Sequence, residues 1–114
     1  MSLDYRFCVA PMMKKTDRHF RYLSRQFSKK AVLYTEMIHA NAILKGNPEK
    51  LLQYKDIEHP VALQLGGCES SQLAEAAEIG ASYGYDEINL NVGCPSKKVR
   101  SGNFGVFLMK DIEL

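Results

Sequence analysis

Two stretches of the chain alternate apolar and polar side chains with the period of a β-strand. Over Val61 to Leu65, the residues Val61, Leu63 and Leu65 share one face and Ala62 and Gln64 the other; over Glu87 to Val92, Ile88, Leu90 and Val92 oppose Glu87, Asn89 and Asn91. Gly66-Gly67 closes the first stretch, and Gly93 with Pro95 closes the second, leaving Cys94 at a rigid turn. Tyr5 to Ala10, ended by Pro11, and Ala31 to Tyr34 read as two further strands. Between them the spacing becomes helical. Thr16 or Asp17 caps a helix running to about Phe27, with Phe20, Leu23 and Phe27 as its expected buried stripe. Met37 to Leu44 is predicted helical, and Gly46 separates it from a short helix opened by Asn47-Pro48. Ser70 or Ser71 caps another helix, in which Leu73, Ala76, Ala77, Gly80 and Ala81 form a small-residue packing face. Past a Ser101-Gly102-Asn103 turn, Phe104 and Val106 to Met109 lead to the start of one more helix.

Strands alternating with helices predict parallel βα units, hence an α/β fold. In an open antiparallel sheet the polar face of Glu87 to Val92 would meet water. In a closed parallel barrel it sends the two asparagines inward, near the strand end where ligands sit. A (β/α)8 TIM barrel takes roughly 250 residues. The 114 residues here, with about four strands, are therefore expected to form its N-terminal half, a single partial domain over 1–114. An open doubly wound sheet is the alternative, but no Gly-x-Gly-x-x-Gly follows the first strand, where such a sheet usually carries its phosphate loop. A half-barrel exposes the edges of its first and last strands. The expectation is further chain, or self-association of copies through those edges.

Composition narrows the setting. A hydrophobic content of 46% supports a real core rather than disorder. No apolar run approaches the about 18 residues of a membrane span, and the first residues lack a secretory pattern, so the expected location is the cytoplasm. The 3 cysteines, separated by 60 and 26 positions, match neither a disulfide framework nor a zinc pattern. His19, His39 and His59 lack metal-ligand spacing, and no metal is expected. The net charge of +2 says little, so local clusters matter more. Arg18, Arg21 and Arg25 share the helix face opposite Phe20, Leu23 and Phe27 and are expected to be solvated. Lys97, Lys98 and Arg100 follow Cys94 closely enough to rim a site and meet phosphate. Cys8, within an apolar strand, and Cys68, in a loop without a nearby acid or base, receive no role. Cys94 differs from both: a buried small hydrophobe is its plain reading, but a strand mouth followed by proline favours catalysis. Gln64 similarly is either a core glutamine with satisfied partners or a ligand-facing amide.

The segments Ala10-Pro11-Met12-Met13, Asp17-Arg18-His19, Leu33-Tyr34-Thr35-Glu36-Met37, Ala62-Leu63-Gln64-Leu65-Gly66-Gly67 and Asn89-Leu90-Asn91-Val92-Gly93-Cys94-Pro95-Ser96 together resemble the tRNA-dihydrouridine synthases, in particular their bacterial A-type branch. Gly84-Tyr85-Asp86-Glu87-Ile88-Asn89 and Gly102-Asn103-Phe104-Gly105 extend the resemblance. It implies an FMN-bearing (β/α)8 barrel followed by a helical tRNA-binding domain, which reduces the C5=C6 bond of selected tRNA uridines with NADPH. Carried over by residue, it implies that Pro11, Met12 and Met13 line the flavin and that Gln64 hydrogen-bonds its ring. It also implies that Asn91 contacts flavin or uridine, and that Cys94 is the general acid. The family's lysine and histidine flavin ligands, its phosphate loops and the C-terminal domain are expected beyond position 114.

The residue types suit that chemistry. Hydride added to C6 of uracil leaves negative charge at C5 and O4, so a proton must reach C5 from the other face of the base. A cysteine thiol, with an ordinary pKa of roughly 8.5, is mostly protonated near neutrality and can supply it. Asn89 and Asn91, donor and acceptor at once, could read an imide edge. Two alternatives stay open at this point: another FMN-barrel pyrimidine oxidoreductase of the dihydroorotate kind, or a non-catalytic RNA-binding remnant. A cysteine hydrolase is disfavoured, because no histidine context marks an activating base.

Overall fold

The computed structural model describes residues 2–94 and 104–110. Its elements are β1 (Cys8–Val9), α1 (Arg18–Phe27), β2 (Val32–Tyr34), β3 (Ile38–His39), α2 (Ala40–Lys45), α3 (Pro48–Leu52), β4 (Val61–Gly66), α4 (Ser70–Ser82) and β5 (Glu87–Leu90), with 3-10 turns at Asp56–Glu58 and Gly105–Lys110. All strand pairs are parallel. β1 pairs with β2, β2 with β4, and β4 with β5, the order that successive right-handed βα units give.

β2 and β3 are two halves of one strand. Leu33 faces Val61 and Ile38 faces Leu65, so five steps on one strand oppose four on the other. The extra residue is a bulge within Thr35-Glu36-Met37. This corrects the expectation of a helix from Met37: the chain first rejoins the sheet edge, and α2 begins only at Ala40.

β4 is buried along its whole length. Its Val61, Leu63 and Leu65 pack with Ala40, Ile43, Leu52, Ala76 and Tyr85 into the core between sheet and helices, while Ala62 and Gln64 face the other side. Helix starts follow sequence chemistry where a short polar side chain is available. Asp17 accepts from Phe20 N, and Asn47 accepts from Lys50 N ahead of Pro48. For α4 the N-cap is Glu69, without a side-chain bond, instead of the expected serines.

Gly80 sets how closely α4 lies on the sheet. A Cβ there would stand 2.4 Å from Leu63 Cδ2 and 3.1 Å from Ile88 Cδ1. Alanine gains about 1 kcal/mol of helix propensity over glycine, but overpacking costs about 1–3 kcal/mol, and the fully buried Leu63 has nowhere to go. Gly80→Ala is expected to lower the thermal midpoint by a few degrees; an unchanged or raised midpoint would show that Leu63 yields.

Helix α1 reverses the expected sides. Phe20, Leu23 and Phe27 are exposed, Phe27 at 84%, while Arg21 and Arg25 are each only 5% exposed. Hydrophobic periodicity alone puts the phenylalanines inside. Partners supplied by a distant segment bury the guanidiniums instead. Arg21 Nε donates to Glu58 Oε1 at 2.6 Å and its Nη1 to the Thr16 carbonyl at 2.7 Å. Arg25 donates to the carbonyls of Ser28, Glu58 and Pro60. Glu58 itself is 1% exposed, and its Oε2 accepts from Lys55 N. A buried charge is tolerated when it is paired and its remaining donors are satisfied, and this network nearly meets that condition. Of the fully buried side-chain atoms in this network, Arg25 Nε is the one without a partner among the described residues.

Two phenols are held neutral. Burial, reinforced by Glu87, pushes the Tyr34 phenol up to about 12. Burial also raises that of Tyr85, which donates to the Leu52 carbonyl at 2.8 Å. A raised folded-state pKa contributes stability that is complete below the unfolded value, roughly 10 for tyrosine, and is lost as pH climbs through the folded value. Stability is therefore expected to fall from about pH 10 to 12. Tyr34→Phe should flatten that fall in urea midpoints measured against pH, and an equally steep decline would contradict it.

Candidate active site

The carboxyl ends of the strands gather the residues with chemistry. The loop after β1 is closed on itself: Lys15 N and Thr16 N both donate to the Met12 carbonyl at 3.0 Å, and Met12 N donates to Thr16 Oγ1 at 3.1 Å. Lys14 sits in the left-handed region at φ 65°, and its N–H donates to the Glu36 carboxylate. Thr16, 2% exposed, also presents its carbonyl to Arg21. The buried Arg21–Glu58 pair thus anchors the turn that carries Pro11, Met12 and Met13.

On the sheet, Gln64 and Asn91 are joined. Asn91 Nδ2 donates to Gln64 Oε1 at 3.0 Å, and Gln64 Nε2 donates to Asn89 Oδ1 at 2.8 Å. Thr35 Oγ1, inside the bulge, accepts from Gln64 N at 3.0 Å. Asn91 Oδ1 accepts from the backbone N–H groups of Gly93 and Cys94 at 3.1 and 3.0 Å. That pair of bonds forms an Asx turn which fixes the start of the Cys94 loop. Val106 N donates to the Cys94 carbonyl at 3.1 Å.

These pieces line a half-open cavity of about 350 Å³ formed by Pro11, Met12, Met13, Met37, Gln64, Asn91 and Cys94. Six of the seven are residues the sequence pointed to, drawn from the ends of β1, β4 and β5. The seventh, Met37, was missed. The bulge turns it onto the cavity, where it lies over Gly66: a Cβ there would come within 2.8 Å of the Met37 sulfur. Its only signal in the sequence is the polar Thr35-Glu36 interrupting an apolar strand.

Several expectations change. With both lone pairs of its oxygen engaged, Asn91 is left as a donor only, and Asn89 serves Gln64 rather than the cavity. Cys8 is exposed rather than strand core, and its thiol lies against the Tyr5 carbonyl. Lys97, Lys98, Arg100 and Pro95 lie outside the described residues. His39 caps α2 through Nδ1 and stacks edge-on with Phe104, and His59 Nδ1 bonds Asp86 at 2.7 Å. Among the described residues no three His, Cys, Asp or Glu side chains come together as a metal site. A larger hollow of about 500 Å³ lies between α1 and the Gln53–Glu58 segment, lined by Arg18, His19, Tyr22 and Lys55 among others. It holds none of the residues collected at the strand ends.

The family model described as dihydrouridine synthase (Dus) matches residues 8–114, which include every residue lining the cavity. The chain belongs to the dihydrouridine synthase family. It is similar to the tRNA-dihydrouridine(20/20a) synthase of Synechocystis sp., with 60% identity over 106 residues, 93% of this chain and 32% of that protein. Proteins of the same description in Xanthomonas campestris pv. campestris and Shewanella oneidensis are 53% and 52% identical, over 93% and 99% of this chain. The chain spans about a third of the length of these curated relatives and corresponds to their N-terminal part. As a dihydrouridine synthase segment it covers the first βα units of a TIM barrel, with β1 and β5 each paired on one side among the described residues.

Proposed function

We propose that this chain supplies the N-terminal half-barrel of an FMN-dependent enzyme that reduces specific uridines in tRNA to 5,6-dihydrouridine, with NADPH as reductant and Cys94 as the proton donor to C5. The observation that carries this reading is the cavity itself. A family member places a thiol, two amides and three methionines together at the carboxyl ends of parallel strands, where barrel enzymes do their chemistry.

The lining fits a planar, largely apolar ring with polar edges. Met12, Met13 and Met37 offer soft, adaptable contacts, and Gln64 and Asn91 offer N–H donors to carbonyl oxygens or ring nitrogens. No arginine or lysine lines this cavity among the described residues, so the FMN phosphate is assigned to residues outside them. When bound, FMN supplies hydride to C6 of the base. The protein's part is position and a proton: Pro11 to Met13 and Met37 shape the slot, Gln64 and Asn91 orient what lies in it, and the Cys94 thiol delivers its proton to C5. The thiolate regains a proton from solvent. Lys97, Lys98 and Arg100 are assigned to tRNA phosphate at the rim.

The relatives' remaining length is assigned to the rest of the barrel and a helical tRNA-binding domain. Exposed Phe7, Phe20, Leu23, Phe27, Leu90 and Val92 are the surfaces that this remainder, or a second copy, covers. No described helix is long and apolar enough to cross a membrane, and the cytoplasm is the proposed location. The test is a chimera in which this chain replaces the matching third of the Synechocystis relative. Reduced chimera should form dihydrouridine in tRNA and leave free uracil essentially untouched. Equal turnover of free uracil would favour a dihydroorotate-type oxidoreductase, and a colourless chimera that merely binds RNA would favour a binding remnant.

A further inference from the structure

The amides behind the cavity form a chain in which every donor points the same way. The N–H groups of Gly93 and Cys94 donate to Asn91 Oδ1, Asn91 Nδ2 to Gln64 Oε1, and Gln64 Nε2 to Asn89 Oδ1. Asn89 Nδ2 then points at Glu87 Oε1, at 3.5 Å. The Glu87 carboxylate also accepts from the Tyr5 hydroxyl at 2.6 Å and interacts with the Tyr34 hydroxyl.

The two ends determine the direction. Backbone N–H groups can only donate and an ionised carboxylate can only accept, so each of the three amides between them has one orientation that satisfies both neighbours. A carboxamide turned around in the middle would set donor against donor or oxygen against oxygen. The cavity therefore meets a fixed donor at Asn91, and the Cys94 turn is held by an oxygen that cannot swing away.

We propose that Glu87 and Asn89, neither of which lines the cavity, are positioning residues: they set the polarity with which Gln64 and Asn91 face the ligand and hold the Cys94 loop. The functional half of this inference rests on the reading of the cavity given above, whereas the chain of hydrogen bonds does not.

A double substitution tests it without flavin or tRNA. Asn91→Asp keeps the acceptor for Gly93 and Cys94 but sets oxygen against Gln64 Oε1. Gln64 and Asn89 can relieve that only by turning over, which presents the Asn89 oxygen to the Glu87 carboxylate. Glutamine at position 87 would donate to that oxygen and accept the reversed chain. In this chain, Asn91→Asp is expected to lower the thermal midpoint by about 5 °C or more. Glu87→Gln alone should cost less, and the pair should recover most of the loss, although two amides separate the positions.

Plain charge repulsion between Asp at 91 and Glu87 would also be relieved by Glu87→Met, which removes charge yet cannot donate. Rescue by Gln well above rescue by Met supports the chain; equal rescue by both, or none by either, overturns it. In the chimera, Glu87→Met should lower kcat for tRNA at least about tenfold while flavin stays bound, with Glu87→Gln near the parent value. If the stability coupling holds and the parent chimera makes no dihydrouridine, the functional reading fails and the chain of amides stands.

Discussion

Cys94→Ala, placed in the chimera, is expected to keep the flavin colour and to lose dihydrouridine formation by roughly 10²–10⁴ fold, the range typical for removal of a general acid. The substitution removes one sulfur from the rim of the cavity, and the Asx turn that positions residue 94 uses only its backbone N–H. Alanine there keeps the turn, so binding should persist while proton delivery fails. Flavin absorbance together with dihydrouridine content of the tRNA separates the two effects. Turnover at the parent rate would remove Cys94 from the mechanism. Loss of flavin along with activity would make the residue part of the binding wall instead.

Glu58→Ala is expected to be the most damaging stability change in the described part of the chain. Glu58 and Arg21 are 1% and 7% exposed at their side chains and meet at 2.6 Å. Removing one member of such a pair leaves the other charge buried alone, at a cost of about 3–5 kcal/mol. Lys55 N loses its acceptor as well. Replacing both charges by apolar side chains, Arg21→Met with Glu58→Leu, should cost much less than Glu58→Ala alone, because no uncompensated charge remains. Because Arg21 also holds Thr16, and Thr16 closes the Met12 turn, surviving Glu58→Ala protein should bind flavin more weakly. Urea denaturation of the three proteins checks the ordering, and a Glu58→Ala loss below about 1 kcal/mol would mean that the pair is solvated in solution.

Local chemistry made much of this molecule legible in its sequence. The period-two alternation of Val61 to Leu65 and of Glu87 to Asn91 put Gln64, Asn89 and Asn91 on one face, because successive side chains along a strand point to opposite sides. Asp17 and Asn47 were readable as caps, since their function is local to one helical turn. Three features depend on contacts far apart in the chain and could not be read. Arg21 and Arg25 are buried because Glu58 and neighbouring carbonyls, more than 30 positions away, receive them. The apolar face of α1 is left outward for the same reason. Met37 reaches the cavity because a bulge re-aims it, and helical spacing past Tyr34 gave no sign of a return to the sheet. The residues Pro11, Met12, Met13, Gln64, Asn91 and Cys94 are scattered over 84 positions, and the parallel sheet gathers them at one end.

In the proposed mechanism a uracil ring lies with the Cys94 thiol on one face and the hydride source on the other. The labelling pattern of the product tests this most directly. In D2O with a deuterated reductant, one deuterium enters C5 and one enters C6, and the vicinal proton coupling in the recovered dihydrouridine reports their relative faces. Addition from opposite faces is expected in the parent chimera; deuterium at both carbons from the same face would rule out a thiol and a hydride source on opposite sides of the ring.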